Sequence, residues 1–155
     1  MTAGPSRIEL AVQRATHWQP LPSDAQFELW VRTALRGREA AELTIRIVDR
    51  GESRAFNRQY RGKDAPTNVL SFPADLPAEV EVEVNLLGDI LMCAPLVAEE
   101  AREQGKAEQA HWAHLTIHGV LHLLGHDHQE TVDAEVMEGL EIALLESLGI
   151  ANPYG

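Results

Sequence analysis

An α+β fold, with one small mixed β-sheet of about four strands packed with helices, is what the order of elements along these 155 residues predicts. Two observations carry that expectation. Period-2 apolar runs alternate with 3.6-period segments over the first part of the chain, and from Pro95 onward the pattern is mostly helical. The length suits one sizeable core, so residues 1–155 are expected to form a single domain.

Ile8-Glu9-Leu10-Ala11-Val12 alternates as a first strand. Ser23-Asp24 then caps a helix whose apolar stripe runs through Phe27, Trp30, Val31, Ala34 and Leu35 and ends at Gly37. Leu43 to Val48 alternates as a half-buried strand, and a helix from about Glu52 to Tyr60 follows and stops at Gly62. Val69-Leu70-Ser71-Phe72 reads as a strand closed by Pro73, and Leu86 to Met92 as another. The acidic alternation at 79 to 84 between them predicts an exposed edge or hairpin arm. Helices are expected at about 95–104, 108–124 and 131–148.

No apolar run approaches the roughly 20 residues that span a bilayer, and the first residues lack a basic region followed by an apolar stretch, so a cytoplasmic protein is expected. Cys93 is the only cysteine, which excludes an internal disulfide; in its apolar segment it reads as a small buried hydrophobe. The net charge of −11 argues at first against nucleic acid. Its distribution argues otherwise. Between Arg46 and Lys63 six basic residues stand against two acidic ones, a local +4 that leaves −15 in the rest of the chain.

Six of the seven histidines fall between 111 and 128. His118 and His122, four apart on a helix, lie about 40° from one another and about 6 Å along the axis, so they can share one ion. His128, six residues further, would point to the far side of a continuing helix, and a third ligand therefore requires the helix to stop. Gly125 supplies the stop through the left-handed conformation that glycine adopts at little cost. Three imidazoles with an open fourth position describe a catalytic zinc site, with one Zn²⁺ per chain. The spacing is that of the metzincin protease signature, except that Gly119 stands where the protease has its general-base glutamate. The peptidase reading is weakened accordingly. His114 and His111 lie one and two turns before the first ligand, placed to support a ligand or simply to pack. Asp127 either orients a ligand through its second ring nitrogen or forms a turn, and His126 alternates with His128 as a loop residue within reach of substrate. Met137, nine residues beyond His128, reads as core with Val136, Leu140, Ala143, Leu144 and Leu148 around it.

Arg50, Arg54, Arg58 and Arg61 recur at helical spacing, near the apolar pair Phe56 and Tyr60. With Lys63 they form either a phosphate-binding stripe or a solvated helix face. Arg61 stands out because it opens the polar stretch to Asn68 that leads into a strand. An arginine beside a metal site can stabilise charge developing on phosphorus.

Tyr60-Arg61-Gly62-Lys63-Asp64-x-Pro66-Thr67-Asn68-Val69-Leu70-Ser71-Phe72-Pro73, Gly88-Asp89-Ile90, His111-Trp112-Ala113-His114 and His118-Gly119-x-Leu121-His122-Leu123-Leu124-Gly125-x-Asp127-His128 resemble the bacterial YbeY family of endoribonucleases. The resemblance runs from about 42 to 154, including Asn152-Pro153-Tyr154, and is loose over the first 40 residues; His126 departs from a frequent tyrosine. It implies a fold similar to a metalloprotease catalytic domain, with the zinc site on a helix and the following loop. It also implies a zinc-dependent, single-strand-specific RNase acting in maturation of the 16S rRNA 3′ end and in ribosome quality control. By position, His118, His122 and His128 match the family's zinc ligands and Arg61 its catalytic arginine. The implied partners are the small-subunit rRNA precursor, small-subunit ribosomal proteins and a ribosome-assembly GTPase, with neither DNA nor membrane expected. Two rivals stand beside this: a zinc peptidase or other hydrolase, and a non-catalytic assembly factor stabilised by zinc.

Overall fold

The computed structural model describes residues 7–74, 85–125 and 131–154. Its elements follow in the order β1 (Arg7–Ala15), α1 (Asp24–Ala34), β2 (Ala40–Val48), α2 (Arg50–Arg61), β3 (Val69–Pro73), β4 (Leu86–Cys93), α3 (Ala94–Glu103), α4 (Glu108–Leu123) and α5 (Thr131–Ser147). The strands form one sheet in the order β1-β2-β4-β3, with β1, β2 and β4 parallel and β3 antiparallel on the edge. This is the α+β mixed sheet of about four strands that the sequence predicts. The segment at 79–84, expected as an edge or hairpin arm, lies outside the described residues.

Local chemistry explains the element ends. Ser23 and Gln26 form a reciprocal capping box at the start of α1, each side chain bonding the other's backbone N–H. β1 runs to Ala15, three residues past the expected end, because its register with β2 continues to Val48. Gly88 of β4 lies opposite Pro73 with φ +137°, and a Cβ there would stand 2.1 Å from the Phe72 carbonyl oxygen. Only glycine lets the two strands approach so closely.

The sheet has two differently covered faces. Because side chains alternate along a strand, Ile45 and Ile47 of β2 and Ile90 and Met92 of β4 point into the main core. There they meet Phe27, Trp30 and Val31 of α1 and Trp112, Ile117 and Val120 of α4. Phe27 packs edge-on against Trp112, with ring centroids 5.9 Å apart. Burying each of these large side chains contributes roughly 1.5–3 kcal/mol before entropy is counted. Val48, Leu70 and Leu91 face the other way and form a smaller cluster with Phe56 and Phe72. That second face belongs to α2, whose Phe56 and Tyr60 rings lie 5.8 and 4.4 Å from Phe72. The histidine helix and the arginine helix therefore cover opposite faces of one sheet.

Cys93 is buried, as expected of a small hydrophobe. Met137 is fully buried and belongs to the core. Its neighbours on α5 differ from the expected stripe, since Val136 and Leu140 are exposed and the buried line runs Met137, Glu141, Leu145. Apolar residues flank both sides of that line, and packing against α4 chooses the face. Among the described residues no helix is long and apolar enough to cross a membrane.

Candidate metal centre

Helix α4 packs so tightly on the sheet that its histidines are fixed from behind. Gly119 makes this possible: a Cβ there would stand 3.1 Å from two carbons of Ile90. Its carbonyl accepts a hydrogen bond from Ser71 Oγ at 3.0 Å, tying edge strand β3 to the helix between the two predicted ligands. The position where a protease carries its glutamate is here a packing contact, which explains in steric terms why no acid stands there.

His118 and His122 emerge one turn apart with their Nε2 atoms 3.1 Å from one another. Two imidazole nitrogens bound tetrahedrally to one zinc ion would be separated by roughly 3.3 Å, given Zn–N distances of 2.0–2.1 Å. The pair thus fits the donor geometry of a shared ion. After Leu124 the chain turns at Gly125 with φ +97°, the helix stop expected from the sequence. His126, Asp127 and His128 lie outside the described residues.

Behind the pair lies a buried carboxylate. Glu141 of α5 is inaccessible to solvent. Its Oε1 lies 2.7 Å from His118 Nδ1, and its Oε2 lies 2.7 Å from His114 Nε2 and also accepts from the Tyr154 hydroxyl. Burial works against its charge, but the hydrogen bonds from His114, His118 and Tyr154 outweigh burial and hold its carboxyl at about 2. An ionised carboxylate only accepts, so His118 Nδ1 and His114 Nε2 must carry the protons. With Nδ1 engaged by Glu141, His118 turns Nε2 toward His122. Burial, followed by the adjacent carboxylate, pushes the Tyr154 phenol upward, so it stays a donor.

His114, His118 and Glu141 form a group whose ligand atoms lie within 4.8 Å of one another, a donor set able to hold a metal. Its internal separations of 2.7 Å are those of charge-assisted hydrogen bonds, and His114 Nε2 is spent on Glu141. The Nε2 atoms of His118 and His122, facing one another beside this group, have the spacing of two donors to a shared ion.

One turn earlier, buried His111 bonds Glu100 Oε1 at 2.9 Å through Nε2, and Asn68 Nδ2 donates to the same oxygen at 2.9 Å. Burial raises the Glu100 pKa, yet these two bonds outweigh it and lower the pKa below the ordinary carboxylate value. A cleft of about 640 Å³ opens here, lined by Asn68, Glu100, Lys106, His111, His114 and Tyr154 among others. It runs along the N-terminal half of the histidine stripe.

The basic residues stand apart from this network. Arg50 pairs with Glu99 and Arg54 makes a two-pronged pair with Asp64 at 2.7 and 2.9 Å, so half of the arginine stripe is engaged within the protein. Arg58, Arg61 and Lys63 are exposed, and their side chains make no hydrogen bond or salt bridge among the described residues. Arg61 ends α2, next to its C-cap Gly62, where the chain turns toward β3. Thr67 bonds Ser53 through its backbone, while Asn68 and Ser71 anchor β3 to α3 and α4.

Glu141 is not among the residues singled out from the sequence, and Tyr154 enters there only in the Asn152-Pro153-Tyr154 ending that resembles the family's, with no role attached. A signal for Glu141 exists in retrospect: it falls four residues after Met137 and four before Leu145, an acid in the middle of a core stripe. Tyr154 carries no comparable local signal.

A mixed sheet with a His-x3-His helix laid across it, its first imidazole oriented by a buried carboxylate, is an arrangement able to hold a metal ion, of the kind hydrolases use. The family model described as Endoribonuclease YbeY matches residues 14–149. The chain belongs to the YbeY family. It is 55% identical to an endoribonuclease YbeY of Stenotrophomonas maltophilia strain R551-3, over 99% of this chain and 98% of that protein. The same protein of strain K279a is 54% identical over the same shares. The loose resemblance of the first 40 residues to the family is thus no obstacle to full-length similarity with these relatives. The fold is also that of the solution structure of TM1509 from Thermotoga maritima, with a TM-score of 0.55 and 24% identity, over 92% of this chain and 91% of that one.

Proposed function

We propose that this protein is a zinc-dependent, single-strand-specific endoribonuclease that matures the 3′ end of small-subunit (16S) rRNA and serves ribosome quality control. Endoribonuclease activity comes with the family and with relatives at 55% identity. The observation that carries the metal dependence is the convergence of His118 and His122 Nε2 atoms at 3.1 Å, backed by Glu141. His128 is the third ligand in this reading. When bound, zinc supplies Lewis acidity toward a phosphate oxygen or a water molecule.

The chain's own residues do the rest. His118 and His122 offer their Nε2 atoms to the ion, and Glu141 holds the first in the required tautomer. Arg61 neutralises charge that develops on the scissile phosphate, its guanidinium fork matching two phosphate oxygens. Arg58 and Lys63, exposed and without salt bridges among the described residues, track the RNA backbone, whereas Arg50 and Arg54 contribute less because Glu99 and Asp64 already occupy them. Gly119 leaves no general base at its position, so the proton of the attacking group leaves to another acceptor. The partners in this reading are the small-subunit rRNA precursor, small-subunit ribosomal proteins and a ribosome-assembly GTPase, in the cytoplasm, and residues 1–155 act as one domain.

The test is cleavage of a labelled single-stranded RNA by the zinc-loaded protein, by the protein after chelation, and by folded His122→Ala and Arg61→Ala variants. Cleavage is expected only from the parent, with each variant and the chelated protein reduced at least ~100-fold. Equal cleavage by all would reject the site. A 2′,3′-cyclic phosphate on the product would identify the RNA's own 2′-hydroxyl as the attacking group, and a 3′-hydroxyl would exclude it.

A further inference from the structure

Resting on the zinc reading above, we propose that Glu141 is a positioning residue that locks His118 with Nε2 directed at the metal, and that Tyr154, from the C-terminal tail, is part of the lock. Three contacts carry this. His118 Nδ1 and His114 Nε2 grip the two carboxylate oxygens at 2.7 Å each, and the Tyr154 hydroxyl donates to the oxygen that His114 uses. The carboxylate, carried by α5, is thereby held from two other elements, α4 and the tail.

Each contact removes a freedom that the site would otherwise have. An imidazole alone samples two tautomers and two ring flips, and only one of these four arrangements points a lone pair at His122. Glu141 selects the tautomer with the proton on Nδ1. Glu141 in turn would have rotamers of its own, but His114 and Tyr154 restrain its second oxygen. The tail is itself docked, since Lys106 Nζ donates to the Pro153 carbonyl at 2.9 Å and the Tyr154 backbone N–H bonds Asn152 Oδ1 at 2.8 Å. His114 also meets the Tyr154 ring edge-on at 5.4 Å. The last residues of the chain are therefore connected to the metal-binding nitrogen through a continuous set of contacts: tail, Tyr154, Glu141, His118.

The proposal separates Glu141 from the coordination shell itself. Orienting partners of metal-bound histidines typically contribute 10–100-fold to metal affinity, and a carboxylate that accepts from three donors has that role rather than a ligand's.

The experiment measures zinc affinity by chelator competition for the parent, Glu141→Gln and Tyr154→Phe, with the melting temperature of each zinc-free protein, and records the zinc X-ray absorption of the parent and of Glu141→Gln. Glu141→Gln is expected to weaken zinc binding 10–100-fold, and Tyr154→Phe several-fold with the zinc-free melting temperature unchanged. The absorption spectrum is expected to show imidazole nitrogens without a carboxylate from Glu141. Zinc binding undiminished in both variants would overturn the proposal. So would a spectrum that changes from nitrogen and carboxylate donors in the parent to nitrogen alone in Glu141→Gln, because Glu141 would then be a ligand. Should Glu141→Gln fail to fold, Tyr154→Phe decides alone, since it removes one hydroxyl. Parent protein that binds zinc yet cleaves no RNA would reject the nuclease reading and leave the lock intact; parent protein that binds no zinc would reject both.

Discussion

On α4, His114 and His118 converge on a carboxylate that solvent does not reach, whereas on α2 Arg54 meets Asp64 where both side chains are more than half exposed. Both regions concentrate charge, and both belong to the motifs that mark the family. They differ in what charge does there. Behind α4, hydrogen bonds satisfy the polar groups of a low-dielectric pocket, so each contact fixes an orientation. On α2, water screens the pairs and the side chains keep their freedom, so charge there attracts more than it orients. One face of the sheet holds its polar groups in fixed geometry. In the proposed function, the ion belongs to that first face and a polyanion whose position varies meets the other.

The comparison can be broken most severely at Gly119. Replacing it with Glu restores the protease pattern but drives a charged side chain against Ile90, and the expected cost is about 3 kcal/mol or more. Gly119→Ala should cost far less, because Ile90 need shift by only a few tenths of an ångström. Denaturant unfolding of the two variants checks the difference, and peptidase activity in Gly119→Glu would contradict the steric account.

The next largest effect concerns acid. Glu141 has its pKa lowered from 4.5 to about 2, so it stabilises the fold at pH above about 4.5, and this contribution is lost as pH falls toward 2. The full contribution is on the order of 3 kcal/mol. Glu141→Gln should flatten the stability profile in that window. A profile unchanged by the substitution would mean that the carboxylate is not held by its donors.

The smallest effects lie on α2. Lys63→Ala and Arg58→Ala should each weaken RNA binding modestly and lower the slope of log K against log salt by about 1. Arg54→Ala should change the slope less, since Asp64 already occupies that guanidinium. An equal change for all three would mean that the ion pair opens freely to RNA.

The sequence displayed the two regions unequally. The His118, His122 and Gly125 spacing was legible because a helix and its stop are local events, and the turn at Gly125 sits where the spacing requires it. Ser23, Gly62 and the strand alternation were legible for the same reason. Glu141 was not, because its partners lie 27, 23 and 13 residues away and meet only after α4, α5 and the tail pack together. The pairing of Arg50 with Glu99 was hidden likewise, being a contact between helices 49 residues apart. Nor does periodicity say which face of a sheet a helix will cover. It showed four arginines on one side of α2, while the placement of that helix opposite α4 came from the alternation of Leu91 with Ile90 and Met92 across β4.

That placement poses the sharpest question, since the account has Arg61 and His122 acting on one phosphate from helices on opposite faces, around the edge strand β3. Single-turnover cleavage of a labelled single-stranded RNA by parent, His122→Ala, Arg61→Ala and the double variant answers it most directly. Residues that serve one transition state are expected to be non-additive, with the double variant no slower than the slower single variant. Losses that multiply, so that the double variant falls by the product of the two single effects, would show two independent sites and contradict the account.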